Sequence, residues 1–551
     1  MKKQGFLYGS AVLIISAVIV KVIGALFRIP LANMLGGTGM GYFSAAYGIF
    51  MPVYAISATG LPAAAARSVS SAAARGREDE VSEVRRTALS LFGLVGFAGT
   101  FIIVLCAYPL CKAVSGDIAA VPAVIAIAPS VLAGCLVSVY RGCAEGRRDM
   151  YPTAVSQVIE GAAKLIFGLS LCCGCLYIAR TSPLLFVKLT GCRSAEDGAL
   201  PYSAAAAVLG ITLSSFAGLL YMMLRERKEK SSKRTDRLSP KERSAIRREL
   251  LRTAIPASIG ALVINLTSLI DLVTVMRSLK VLAAKAPRVF SELLAGGVTA
   301  ADIPNFVYGS FTGLAVTVFN LVPSVTNMFG KSMLPAAAAA KASGDRKRLG
   351  ECAGGAVLAS ALVSVPAGIG IAALAEPVLR FLFGGRELEI SVCAEAMKVL
   401  GGAVPFVCIS SVAFAVLQAA DRADIPVKLM AAGAVLKLIG NITLTSVPTL
   451  GVTGAAISTL VCYIFICIAS LFMLKKYAGY ELHGFGKVFL KIFSCGMLCG
   501  AGAFLVYNKL SDFGSNAVST LSACLFGGII YILSTYFTGI ITKSTLKMLI
   551  S

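Results

Sequence analysis

Runs of about twenty predominantly apolar residues recur from one end of the chain to the other, divided by short polar segments. As a helix, a run of about twenty residues crosses a hydrocarbon core of roughly 30 Å. The pattern predicts fourteen spans, over 6–28, 41–62, 87–112, 118–140, 152–179, 199–224, 251–276, 303–330, 349–374, 391–418, 425–447, 450–474, 487–508 and 516–542. The short segments of alternating polarity that a membrane barrel requires are not in the sequence. An all-α polytopic membrane protein is expected.

The pattern is also duplicated. Lys164-Leu165-Ile166 returns as Lys437-Leu438-Ile439, an offset of 273 residues. Upstream, helices are expected to start at Pro152 and Pro426, an offset of 274, and Leu61-Pro62 with its alanine run recurs at Leu334-Pro335. Three anchors that agree within one residue indicate two copies of one unit. Six spans precede the second copy, an even number, so both copies enter the membrane from the same side as parallel repeats. The expected organisation is a six-helix bundle over 1–225, a basic cytoplasmic linker over 226–250, a second six-helix bundle over 251–475, and two additional spans over 476–551.

Composition agrees: mean hydropathy is +0.81, hydrophobic residues make up 57% and charged residues 14%, against about 25% charged in soluble domains. The net charge of +23 would suit nucleic acid, but its distribution argues otherwise. With the amino terminus in the cytoplasm, basic residues favour inside loops over outside loops by roughly three to one, the positive-inside bias. The charge sets topology, with both termini cytoplasmic and no nucleic-acid partner. Met1-Lys2-Lys3 and the following apolar run resemble a signal peptide, but Lys21 and Arg28 follow without a small-residue cleavage site, so the first span is read as uncleaved. The basic linker reads as a solvated loop near anionic lipid.

Several chemistries fall away. Most of the sixteen cysteines, Cys172-Cys173-Gly174-Cys175 included, lie in apolar spans and read as packing residues. The single histidine, His483, has no partner in sequence for zinc or a catalytic triad. Gly36-Gly37-Thr38-Gly39-Met40-Gly41 lacks the Lys-Ser/Thr ending of a phosphate loop. No enzyme, metal or cofactor is expected; coupling to membrane potential, H+ or Na+ stays open.

The chemistry is expected in charges within the spans, each costing about 3 kcal/mol near the bilayer centre. Lys21 and Arg28 share a face of span one, and Glu160 and Lys164 are four apart in span five. Asp271 lies in span seven, Lys398 in span ten and Lys437 in span eleven; Lys331 ends span eight and reads as a snorkelling residue. Lys164 and Lys437 lie twelve and eleven residues beyond their prolines, about 17–18 Å of rise and close to the midplane. Glu160 could simply pair with Lys164, and Lys398 with Glu395. Otherwise the deep lysines outnumber Glu160 and Asp271, and a cationic cavity suits a phosphate or diphosphate.

A family resemblance rests on particular residues. Tyr140-Arg141-Gly142, Gly146 and Asp149-Met150-Tyr151-Pro152-Thr153-Ala154-Val155-Ser156-Gln157-Val158-Ile159-Glu160 resemble the fourth-to-fifth helix junction of the stage V sporulation protein B group. Lys21-Val22-Ile23-Gly24, Arg28 and Gly36–Gly41 resemble that group's first helix and loop, and Leu417-Gln418 through Pro426 with Gly451-Val452-Thr453-Gly454-Ala455-Ala456 its second half. These are polysaccharide-lipid flippases of the multidrug/oligosaccharidyl-lipid/polysaccharide exporter superfamily. The resemblance implies an alternating-access transporter with a lipid-facing groove at its last two helices, in a bacterial cytoplasmic membrane. It implies a polyprenyl-diphosphate-linked glycan as substrate and cell-wall synthesis proteins as candidate partners. Related lipid II flippases use first-helix basic residues, which Lys21 and Arg28 match. They also place an arginine in the eighth helix, whereas 303–330 has no basic residue, so other glycans on the same carrier stay open beside lipid II.

The expected site is thus a diphosphate cavity of Lys21, Arg28, Lys164 and Lys437, with Glu160 and Asp271 as charge partners and Asp271 as the coupling candidate. Arg141, Gly146, Asp149, Pro152 and Gln157 form its structural motif. A cation-coupled drug exporter, a membrane enzyme acting on lipid-linked sugars and a non-transporting scaffold are the alternatives.

Overall fold

The computed structural model describes residues 6–58, 60–114, 116–229, 240–480, 485–512 and 514–540, and every regular element among them is a helix. The side chain of Lys331, His483, residues 230–239 of the basic linker and both chain termini lie outside the described residues. The helices are α1 Phe6–Ala58, α2 Gly60–Ala74, α3 Glu78–Val114, α4 Val121–Ile127, α5 Pro129–Gly146, α6 Tyr151–Thr181, α7 Pro183–Thr190, α8 Ala195–Glu229 and α9 Pro240–Lys285. They continue with α10 Ser291–Ala295, α11 Ile303–Ser310, α12 Val316–Phe319, α13 Leu321–Ala342, α14 Arg346–Ala373, α15 Ala375–Leu382, α16 Glu387–Ala419, α17 Asp424–Leu444, α18 Val452–Ala478, α19 Phe485–Ser511 and α20 Asn516–Phe537.

Among the described residues, twelve helices are long and apolar enough to cross a membrane, or thirteen when the pair Ile303–Phe319 and Leu321–Gly330, bent by 41°, is taken as one span. The expected fourteen exceeds this count partly because the first counted segment, Val12–Ala74, holds two expected spans. Within α1, Gly36 has φ 63° and ψ −171°, a combination open essentially to glycine alone. The chain turns sharply there. The rings of Phe27 and Phe43 lie 6.4 Å apart, where sixteen residues of straight helix would separate them by about 24 Å. The bent pair breaks at Asn320, and Pro323, with no N–H to donate to the Phe319 carbonyl four residues back, sits in the first turn beyond it.

Two compact units emerge, Met1–Val273 and Thr274–Ser551. In the first, α2 and α3 pack on α5 and α6 packs on α8; in the second, α13 and α14 pack on α16 and α17 packs on α18. This is one packing pattern used twice. Two backbone turns confirm the register. Arg148 and Asp421, 273 residues apart, are the positive-φ residues other than glycine among the described residues, at 62° and 60°. Each sits in the same hydrogen-bonded turn: Asp149 N–H donates to Ala144 C=O at 3.0 Å and Arg422 N–H to Leu417 C=O at 2.9 Å. The helices that begin just beyond these turns, α6 and α17, carry Lys164 and Lys437.

Lipid tails supply no hydrophobic drive for helix association, so close approach through small residues matters. A Cβ on Gly210 of α8 would lie 2.4 Å from the Gly168 Cα of α6. Outward faces are apolar, with Leu94, Phe97, Phe101 and Leu105 of α3 exposed in one stripe.

Candidate functional site

The first unit builds its polar centre on α6. Tyr151 and Pro152 open this helix with proline in its first turn, where the missing N–H costs nothing. Asp149, two residues before Tyr151, accepts from its N–H at 3.3 Å and receives Arg225 Nη2 of α8 at 3.1 Å. Arg225 also lies over the Tyr151 ring, 5.7 Å from its centroid.

Arg141 and Gly146 act together. Cβ atoms at Gly142 and Gly146 would fall 2.4 Å from the Pro62 carbonyl and 2.6 Å from the Ala66 carbonyl. This small-xxx-small pair lets α5 lie directly on α2. Arg141, beside Gly142, reaches α6 and bridges one turn of it. Its Nε donates to Ser156 Oγ at 2.8 Å and its Nη2 lies 2.8 Å from Glu160 Oε2. Ser215 Oγ of α8 donates to the other carboxylate oxygen at 3.4 Å. The carboxylate of Glu160 is thus occupied by α5 and α8. Gln157, half-buried on the same turn, makes no hydrogen bond among the described residues.

The expectation that Glu160 could neutralise Lys164 is therefore corrected. Arg141 holds the acid, and Lys164 makes no ion pair among the described residues. Lys164 Nζ donates to Tyr47 Oη at 3.3 Å and sits 4.8 Å from the Phe27 ring centroid and 5.6 Å from that of Tyr47. Tyr47 is fixed in turn: Phe43 stacks on it at 5.1 Å, and Phe50 meets it edge-on at 6.1 Å. Ring faces and a hydroxyl stabilise an ammonium without cancelling its charge.

Packing gives the register of the other cations. Gly161 of α6 faces Val20 and Ile23 of α1, while Gly168 faces Phe27. The first arm of α1 and α6 thus run parallel, and Lys164 lies at a depth between Lys21 and Arg28, all within about 11 Å of rise. Lys21 is exposed; Arg28 is half-buried, with its Nε shut away from solvent.

In the second unit Lys437 is buried, and its carbonyl accepts from Ser458 Oγ of α18 at 3.0 Å. Asn441, one turn on, is fully buried and donates to Thr274 Oγ1 at 3.0 Å; Thr445 donates to the Asn441 carbonyl. Asp271, on the first unit's stretch of α9, is half-buried. Lys398 pairs with Glu395 at 2.5 Å on an exposed face and so leaves the set of deep cations. The sequence reading missed Tyr47, Phe27, Ser215, Asn441 and Thr274, and quoted Ser156 only within the helix-junction resemblance. Its available signals were the aromatic spacing 43, 47, 50, 54 on one helical face and the Gly142–Gly146 motif beside Arg141.

Comparison with known proteins extends this picture. Residues 6–191 match the family model described as polysaccharide biosynthesis protein, and residues 184–523 match the one described as lipid II flippase MurJ. The chain is 24% identical to Lipid II flippase MurJ of Bacillus subtilis (strain 168), over 98% of this chain and 96% of that protein. It is 23% identical to Stage V sporulation protein B of the same organism, over 99% and 98%. Among solved structures, the inward closed conformation of lipid II flippase MurJ matches with a TM-score of 0.67 at 15% identity, covering 95% of this chain and 98% of that one. An inward-facing multidrug resistance MATE family transporter of the MOP superfamily matches with a TM-score of 0.62 at 14% identity, covering 84% and 98%. At such identities the structural matches speak for the fold alone.

Proposed function

The chain belongs to the lipid II flippase MurJ family, and from that premise we propose that it moves a polyprenyl-diphosphate-linked saccharide from the inner to the outer leaflet of a bacterial cytoplasmic membrane by alternating access. Lipid II and other cell-envelope glycans on the same carrier form the substrate class. The observation that carries this reading is Lys164: midway along α6, it meets two aromatic rings and a hydroxyl but makes no ion pair among the described residues, which leaves it available to an anionic ligand.

We assign the diphosphate contacts in the first unit to Lys21, Arg28 and Lys164, and give Lys437, the repeat counterpart of Lys164, the same role in its own unit. Glu160 serves Arg141, which leaves Asp271 as the candidate for coupling to H+ or Na+. Membrane potential adds drive, since outward movement of negative charge gains about 2.3 kcal/mol per charge per 100 mV when the interior is negative. The loop-charge bias supports cytoplasmic termini. An exporter of organic cations would need the opposite balance of deep charge.

The test is reconstitution into liposomes carrying fluorescent undecaprenyl-diphosphate-linked saccharides, scored with a membrane-impermeant reagent. The parent chain should exchange leaflets, and Lys164→Gln should slow exchange at least about tenfold, the worth of one charged contact. A parent chain that moves none of these lipids would overturn the assignment.

A further inference from the structure

A cleft at one end of the first unit plays no part in the transport site. It opens between the first turns of α3 and those of α9, with a volume of about 550 Å³. Three arginines line it: Arg86 from α3, and Arg243 and Arg247, one turn apart on α9. Arg243 is committed, its Nε 2.8 Å from Glu83 Oε1. Arg86 and Arg247 are exposed and make no ion pair or hydrogen bond among the described residues. Thr87, Ser90 and Ser244 add hydroxyls to the lining.

Glu83, held by Arg243, also lines the cleft, and the rest of the wall is apolar. Leu91 and Leu94, further along α3, complete the lining. Leu94 then begins a stripe through Phe97, Phe101, Leu105 and Tyr108, all exposed on one face of α3 and about 21 Å long. Guanidinium forks and hydroxyl donors match a phosphodiester, which arginine grips better than lysine does. The adjoining stripe matches an acyl chain. The loop-charge bias favours the inner leaflet for this end of α3, and there anionic lipid gathers at basic pockets.

We propose that this cleft binds the headgroup phosphate of an anionic phospholipid, with an acyl chain laid along the α3 stripe, and so ties the first turns of α9 to α3. The chain contains no tryptophan, so Leu94→Trp provides the sole indole in the protein. In phosphatidylcholine vesicles, brominated phosphatidylglycerol should quench that indole more strongly than brominated phosphatidylcholine at equal mole fraction. Adding Arg86→Gln and Arg247→Gln should cut the preference by roughly tenfold or more, each arginine contributing a fewfold factor. Equal quenching by the two lipids overturns the proposal, and so does a preference that survives loss of both arginines. Inorganic phosphate should leave the preference intact at matched ionic strength; if it abolishes it, the cleft reads a soluble phosphate and the lipid assignment falls.

Discussion

In Arg141→Gln the guanidinium that bridges Ser156 and Glu160 is lost, and two contacts of 2.8 Å go with it. A hydrogen bond to a charged group is worth about 1.5–3 kcal/mol and one to a hydroxyl about 1 kcal/mol. The two side chains retain 14% and 25% exposure; with that screening, and with glutamine able to keep one bond, the loss of stability should be about 2 kcal/mol. Transport should fall beyond what the loss of folded protein accounts for. The released carboxylate has Lys164 one helical turn ahead, in the favourable acid-then-base order. Two unit charges 4 Å apart attract by about 4 kcal/mol at an effective dielectric of 20. If only a quarter of that survives as net pairing, productive anion binding falls about fivefold. Initial rates of leaflet exchange in liposomes, normalised to folded protein, should therefore fall at least about fivefold in Arg141→Gln and return to near the parent rate in Arg141→Gln/Glu160→Gln. A double variant as slow as the single one, or a single variant at the parent rate, would refute the idea that Arg141 keeps Glu160 away from Lys164.

Other expectations are more local. Gly146→Ala should lower the thermal midpoint, because its Cβ would sit 2.6 Å from the Ala66 carbonyl and overpacking costs about 1–3 kcal/mol; Gly24→Ala, inside α1 with nothing within 4 Å, should raise it slightly in the same melt, by up to about 1 kcal/mol of stability. Gly36→Ala should be destabilising by about 1–3 kcal/mol through its backbone conformation alone, read as reduced folded yield on size-exclusion chromatography. Lys398→Gln should transport at the parent rate, its exposed pair with Glu395 being worth at most about 1 kcal/mol, whereas Lys437→Gln should slow leaflet exchange.

The class of fold was legible because a bilayer forces apolar runs of fixed length, and the duplication because Lys164 and Lys437 kept their neighbours. The place of Lys164 midway along its helix followed from a proline and a count of residues. Its partner did not. Spacing along one helix offered Glu160, but pairing is decided between helices, and the glycines at 142 and 146 bring Arg141 of α5 within reach first. The aromatic support of Lys164 was hidden for a related reason: Phe27 and Tyr47 converge only because the chain turns at Gly36. The number of spans blurred at the same place, where two arms share one turn and no loop separates them. The ion pair that ties Asp149 to Arg225 of α8 was equally invisible, since the two residues lie 76 apart in sequence and only the folded chain brings them together.

The turn at Gly36 also bears on how the protein enters its membrane. The two arms of α1 are joined with no loop between them, so they must be handed to the bilayer as one helical hairpin rather than one after the other. The first arm carries Lys21 and Arg28, each a burden of up to about 3 kcal/mol for an inserting helix. The second arm, 37–58, carries no charged residue at all. Its apolar surface can draw the charged arm in, so the cations of the first unit reach the membrane interior on the strength of the segment that follows them.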